Sequence, residues 1–418
     1  MALLPWGDIG HDFLDRLGIS LDEFRDSFVG SWMFGYVEAL RTAGVATVIV
    51  CPTTSVARPR TEVHRPTGAR LVLLPATRGF ATLRRLALRG RVEGRRDPVT
   101  IGRAVAAHAA PFLSTPPLRL RRVLRDERCS AVLCQDYENP RFDVCVAVGR
   151  VAGIPVFGTF QGGDEQHSRL ERWSRPRALA ACAGLVVGPD AEAERVTRVH
   201  GVSAEKLARV MNPVDAALWG SGDRAAGRAE LDIPEDTLVV AWHGQVQLRR
   251  KGLDTLLDAW AGLTARPAVD LRLVLVGSGE DVGEVRRRVE ALGLRGVHVV
   301  ESWVQDRRRL ADLLAAADVY AFPSRHEGLA VAPLEALASG LPVVASDARG
   351  AGEAVGDAGL VVPVGDESAL AAAIGSLLDD PGRRAVLGRR ARARVAERYS
   401  LEAVGAALQA FLLAENGR

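Results

Sequence analysis

Lysine is nearly absent. Of 54 basic residues only Lys206 and Lys251 are lysine, which leaves 52 arginines in a chain of 418. Ala, Gly and Val are abundant as well, so the bias is compositional. A lysine kept against it points to a place that wants a compact point charge. Net charge is scarce too: 51 acids leave +3, which excludes a global field for nucleic acid. Cys51, Cys129, Cys134, Cys145 and Cys182 all lie in the first half, with no CxxC and no His/Cys cluster. That excludes a disulfide frame or zinc site and fits a reducing, cytoplasmic setting. No apolar run reaches the roughly 18 residues of a transmembrane helix. The start, MALLPWGDIGHDF, has no basic n-region, so no signal peptide is expected. What remains is 48% hydrophobic and 25% charged, an ordinary globular mixture that excludes disorder, collagen and coiled coil.

Short β-rich runs alternate with longer helical patterns, which predicts parallel sheets with crossover helices. In the first half the runs are Ala2 to Pro5, Thr47 to Cys51, Leu71 to Leu74, Ala131 to Cys134, Val156 to Thr159 and Gly184 to Val187. In the second they are Leu238 to Trp242, Leu271 to Val276, Val297 to Val300, Val319 to Phe322, Pro342 to Ala345 and Gly359 to Val362. They are almost wholly apolar, as strands covered on both faces are. A boundary is expected near Asn212-Pro213-Val214-Asp215. The last helical segment is expected over roughly Arg392 to Asn416. Two doubly wound halves would face each other across a cleft, with ligands outside the carboxyl ends of the strands.

Four patches at predicted strand ends carry chemistry. In His243-Gly244-Gln245-Val246-Gln247-Leu248-Arg249-Arg250-Lys251-Gly252 a strand meets a glycine, then three cations precede a helix. A helix N-terminus favours anions, so the run reads as a phosphate site or as a solvated basic loop. Val276-Gly277-Ser278-Gly279-Glu280 is a small-residue turn that would admit a planar or ribose group, or a plain turn. In the run Ser324 to Ala336 a polar loop enters a helix near Pro333, a favoured first position. Glu335 sits in an otherwise apolar helix, where a carboxylate needs a partner. The two hydroxyl donors of a ribose would serve, and so would a salt bridge. Glu327 could instead cap the helix. The fourth patch, Ser346 to Glu353, would complete the cleft wall or be a plain loop.

The spacing of these patches resembles that of family 4 glycosyltransferases. The matching stretches are GQVQLRRKGLDTLLDAW, LVLVGSGED, AADVYAFPSRHEGLAVAPLEALASGLPVVASD and GDAGLVVPVGD, and Glu327 and Glu335 match the family's Glu-x7-Glu signature. The likeness is strong from about 209 to 400 and weaker through VEALRTAGV and NPVD. It implies the α/β GT-B fold: two Rossmann-like doubly wound domains facing a central cleft, with a C-terminal helix crossing back to the first. Residues 1–213, with about 395–418, would bind acceptor; residues 214–394 would bind the nucleotide-sugar donor. By position, Lys251 with Arg250 or Arg249 would neutralise the donor diphosphate. Glu335 would hold the ribose. Glu327 and the amides of Gly328, Leu329 and Ala330 would hold the donor sugar and β-phosphate. Gly277 would lie on the donor side. Glu327, Lys251 and Arg250 are the catalytic candidates.

The sequence departs from the family at three places. Gln245 stands where the family has Arg. Gln161, within Phe160-Gln161-Gly162-Gly163-Asp164, stands nearest the family's usual His and cannot act as acid or base. An insertion, Gly10 to Phe28, precedes Gly30, read as the close-approach glycine on the donor side. Trp6, Trp32, Tyr137 and Glu138 would shape the acceptor pocket, or the two Trp would lie in the core.

The resemblance implies transfer of a sugar from a UDP- or GDP-type donor with retention and without a metal or cofactor. No DxD pair stands in a suitable loop. Preorganised positive charge on the leaving diphosphate would be the main electrostatic term, and closure about Pro213 would exclude water. A small-molecule acceptor in specialised metabolism is expected, possessing if anything an easily deprotonated group such as a thiol; lipid and glycan stay open. No nucleic acid is expected, and the chain would be a monomer or homodimer. Residues 78–128 carry 13 Arg against four acids. They read as a solvated face, a peripheral membrane contact or a site for an anionic partner. Two other functions stay open: a GT-B epimerase or phosphorylase, and a non-catalytic nucleotide-sugar-binding subunit, for which Gln245 and Gln161 speak.

Overall fold

The apolar runs fold as parallel strands. The computed structural model describes residues 1–15, 18–88, 98–162, 168–265, 270–301 and 306–414. In the first half β1 is Ala2–Leu4, β2 Val48–Thr53, β3 Arg60–Val63, β4 Arg70–Pro75, β5 Val132–Gln135, β6 Val156–Thr159, β7 Gly184–Val186 and β8 Leu207–Ala208. They form one sheet in the order β3-β4-β2-β1-β5-β6-β7-β8. Only β3 runs antiparallel to its neighbour. It is an exposed, charged edge strand, Arg60-Thr61-Glu62-Val63, so it carries no apolar run to betray it. In the second half β9 is Leu238–His243, β10 Leu271–Gly277, β11 Val297–Glu301, β12 Val319–Phe322, β13 Val343–Ser346 and β14 Gly359–Val362. Their order is β11-β10-β9-β12-β13-β14, all parallel.

The chain divides into two compact units. One comprises Met1–Gly188, Glu192–Val210 and the tail from Gly405; the other comprises Pro189–Ala191 and Met211–Val404. Each is an α/β unit on a sheet that is parallel throughout or, in the first unit, parallel but for β3. The final helical segment is two helices, Pro381–Arg398 and Leu401–Ala414, broken at Tyr399-Ser400; Asn416 lies outside the described residues. The tail belongs to the first unit. Phe411 meets Phe157 at 5.5 Å, and the Gln409 amide donates to the Ala43 carbonyl at 2.6 Å.

Strand parity explains why the runs are so apolar. In β9, Val239 and Ala241 enter one hydrophobic core while Val240 and Trp242 enter another. In β12, Tyr320 and Phe322 join the first core, Val319 and Ala321 the second. Both faces are covered, so alternation of polarity disappears.

The insertion before Gly30 has its own small core. Ser20 and Glu23 form a capping box on helix Leu21–Asp26. Phe24, Phe28, Phe34 and His64 pack together, with Phe34 stacked on His64 at 3.8 Å. The basic segment forms helices Arg78–Leu88, Pro98–Leu113 and Pro117–Asp126; residues 89–97 lie outside the described residues. Among the described residues no helix is long and apolar enough to cross a membrane.

Candidate nucleotide-sugar site in the second unit

The carboxyl ends of β9, β10 and β12 gather the second-half candidates. Gly244 follows β9 with φ +148, and its amide donates to Val276 O at 3.0 Å. The Val246 amide donates to Ser278 O at 2.9 Å. A Cβ on Gly277 would stand 1.9 Å from Gly244 O, and one on Gly279 2.3 Å from Val246 O. The close approach that these glycines permit in the structure is to the neighbouring loop of the protein itself.

The loop from Gln247 turns into helix Leu253–Thr264 through Gly252. Gly252 has φ +64, and its Cβ would meet Pro323 O at 1.9 Å. Only glycine fits both the angle and the contact. This tight seam brings Lys251 beside the end of β12. Lys251 Nζ donates to Glu327 Oε1 at 2.7 Å, and the Ser324 hydroxyl donates to the same oxygen. Arg325 closes the seam: its amide donates to Arg250 O at 3.0 Å, and its guanidinium to Arg249 O at 2.8 Å and Asp254 Oδ1 at 2.5 Å. Arg249, Arg250 and Gln245 are exposed.

Glu327 is buried, as are Gly328 and Leu329, while Ala330 is half-buried. The Asn212 side-chain amide donates to Leu329 O at 2.8 Å and fixes this loop. Glu335 lies in the first turn of helix Ala332–Ala338, with Pro333 at the helix start. It is 8% exposed, and its Oε2 lies 2.8 Å from His243 Nε2. Tyr320 is fully buried in β12, and burial pushes its phenol well above the usual range, with the charges of Glu335 and Glu327 adding.

The sequence reading did not single out His243, Ser324, Asn212 or Arg325. His243 offered one signal: a polar residue ending an apolar strand directly before a glycine.

Gly30, Trp32, Tyr137, Glu138 and Gln161 belong to the first unit. Gly30 caps helix Ser31–Thr42 in extended conformation (φ −137), and its Cβ would press on the Phe28 ring at 2.8 Å. The Trp32 side chain lies outside the described residues, as do Gly163 and Asp164. Gln161 Nε2 donates to the Thr159 hydroxyl at 3.2 Å. Tyr137 is fully buried, and its hydroxyl donates to Glu192. Arg195 donates to that hydroxyl at 2.5 Å, to Glu138, and to Glu192 Oε1 at 2.8 Å. Burial pushes the Glu138 carboxyl up to about 8; Arg195 opposes the rise, and Asp136 and Glu192 add to it. Glu192 and Arg195, on helix Asp190–His200, were not foreseen because each sits in an ordinary charged helix face.

Residues 237–380 match the family described as "Glycosyl transferases group 1". The chain is 35% identical over 247 residues to a D-inositol 3-phosphate glycosyltransferase of Saccharomonospora viridis, covering 57% of each chain. It is 37% identical over 202 residues to a GDP-mannose-dependent monoacylated alpha-(1-6)-phosphatidylinositol monomannoside mannosyltransferase of Corynebacterium glutamicum, covering 46% of this chain and 51% of that one. The chain thus aligns with little more than half the length of these relatives. Among solved structures, Anabaena HepE in complex with UDP superposes with a TM-score of 0.71 at 16% identity, over 99% of both chains. A sucrose-phosphate synthase from Thermosynechococcus elongatus superposes with a TM-score of 0.67 at 22% identity, over 100% of this chain and 98% of that one. At such identities the likeness establishes the fold.

Proposed function

We propose that the protein transfers a sugar from a nucleoside-diphosphate donor to a small-molecule acceptor, with retention and without a metal, as a family 4 glycosyltransferase. The observation that carries this reading is the pairing of Lys251 with Glu327 and of His243 with Glu335, all four at the carboxyl ends of β9 and β12. It falls inside the segment that matches the glycosyltransferase family.

Each residue then has a task. Departure of a nucleoside diphosphate builds negative charge on its β-phosphate, and the gain comes from cations already in place. Lys251 supplies a point charge, with Arg250 and Arg249 beside it. Entry of the diphosphate exchanges the Lys251–Glu327 contact for a Lys251–phosphate contact, which frees Glu327 and the amides of Gly328, Leu329 and Ala330 for the sugar. Glu335 accepts hydrogen bonds from the ribose hydroxyls. Gln245 adds no charge, so the burden rests on Lys251. Gln161 offers no base, and the departing phosphate would take the acceptor proton. The UDP complex of HepE and the GDP-mannose dependence of the Corynebacterium relative support a UDP or GDP donor. The inositol phosphate in the name of the Saccharomonospora relative supports a small polyol as acceptor. We place donor binding in the second unit, and acceptor binding, with Trp32, Tyr137, Glu138 and Gln161, in the first; Gly30 is proposed for the donor.

Lys251→Ala and Glu335→Ala should each lower turnover by orders of magnitude with the fold retained, and EDTA should leave turnover intact. Near-wild-type transfer by both variants would remove the site. Strong EDTA inhibition would remove the metal-free mechanism.

A further inference from the structure

We propose that His243 is a positioning residue: it holds the Glu335 carboxylate so that it reads a vicinal diol, and thereby sets a preference for ribose over deoxyribose nucleotides. The inference rests on the donor reading above and adds a residue to it.

Strand parity places the side chain. Val239 and Ala241 enter the same core as Trp219, Tyr320 and Leu334. His243 continues that face of β9, the face covered by the helix that carries Glu335. Its ring centroid lies 5.5 Å from that of Tyr320 and 6.4 Å from that of Trp219. The Tyr320 hydroxyl lies 3.3 Å from His243 O and 3.4 Å from His243 N, which pins the backbone as well. Ring and backbone are thus both held.

The proton can be placed by elimination. His243 Nε2 and Glu335 Oε2 are 2.8 Å apart, both side chains buried. His243 Nδ1 is buried with no partner among the described residues. A proton on Nδ1 would leave a buried donor unsatisfied and carrying its full desolvation penalty. The ring therefore carries its hydrogen on Nε2 and donates it to Glu335. An ionised carboxylate only accepts, through about four lone-pair sites on two oxygens. With His243 fixing Oε2, the other oxygen is held in a set direction for the hydroxyls. A carboxylate left free to turn would meet one hydroxyl or two with little distinction. Support of this kind is what keeps a binding group in productive geometry.

The test is calorimetric titration of wild type with UDP and GDP and with their 2′-deoxy counterparts. Wild type should favour the ribonucleotide by about tenfold or more, the worth of a hydrogen bond to a charged group. His243→Gln keeps an N–H near the Nε2 position and should keep most of that ratio. His243→Phe removes the donor and should bring the ratio close to one while diphosphate binding persists. His243→Asn, whose amide falls short of Glu335, gives the same reading should the phenylalanine variant not fold. Undiminished discrimination in His243→Phe or His243→Asn would overturn the inference and leave the donor site standing. Wild type that binds both sugars equally would overturn the ribose reading of Glu335 and this inference with it. A merely structural His243 would alter stability and leave the ratio unmoved.

Discussion

The two lysines have separate tasks. Lys206 Nζ donates to the carbonyls of Ala180 and Cys182, both at 2.9 Å, at the end of helix Arg169–Ala181. A cation there answers the negative end of the helix, so Lys206→Ala should cost about 1 kcal/mol in denaturant melts and leave turnover alone. Loss of turnover in that variant would contradict the division of labour. Glu138 gives a pH test. Its folded-state carboxyl sits near 8 against 4.5 for the free group, so between those values the native state holds a proton that the unfolded chain has lost. Stability from this group therefore falls as pH rises from about 4.5 to about 8, then levels. Glu138→Gln should flatten that slope in melts across the window; an unchanged slope would place the titration elsewhere. Lys251 and Glu335 were legible in the sequence, Lys251 as a lysine kept in an arginine-rich chain and Glu335 as a charge in an otherwise apolar helix. His243 and Arg195 were not, because their meaning lies in partners 92 and 57 positions away, which only parity and packing bring near.

Glycines divide the elements into seams and spans. Gly252 joins the loop of Lys251 to the end of β12, and both its φ of +64 and the 1.9 Å approach to Pro323 O forbid a side chain. Gly252→Ala should cost more than the 1–3 kcal/mol of backbone strain alone and should weaken nucleotide binding with it, since it displaces Lys251. Gly262 lies in the same helix, Leu253–Thr264, and a Cβ there meets nothing within 4 Å. Gly262→Ala should stabilise by about 0.5–1 kcal/mol with unchanged binding. The reverse ranking in chemical melts would refute this account of the seam. The strands were readable because both faces are buried. The exposed β3 was missed because an edge strand guarded by charge looks like a loop.

At the scale of the whole chain, both doubly wound units were visible as strand–helix alternation. The tail's place with the first unit rests on contacts such as Phe411 with Phe157, which no local pattern announces. The proposed function requires that the second unit bind a nucleoside diphosphate through Lys251 and Glu335. A ligand that binds only the folded state at about 100 times its Kd adds about 2.7 kcal/mol to stability. The most direct measurement is a thermal melt of the full chain with each nucleoside diphosphate in EDTA, for wild type, Lys251→Ala and Glu335→Ala. UDP or GDP should raise the wild-type Tm by several degrees, and the rise should be lost or sharply reduced in both variants. A melting temperature that no nucleoside diphosphate moves, or one that moves equally in all three proteins, would contradict the proposed function.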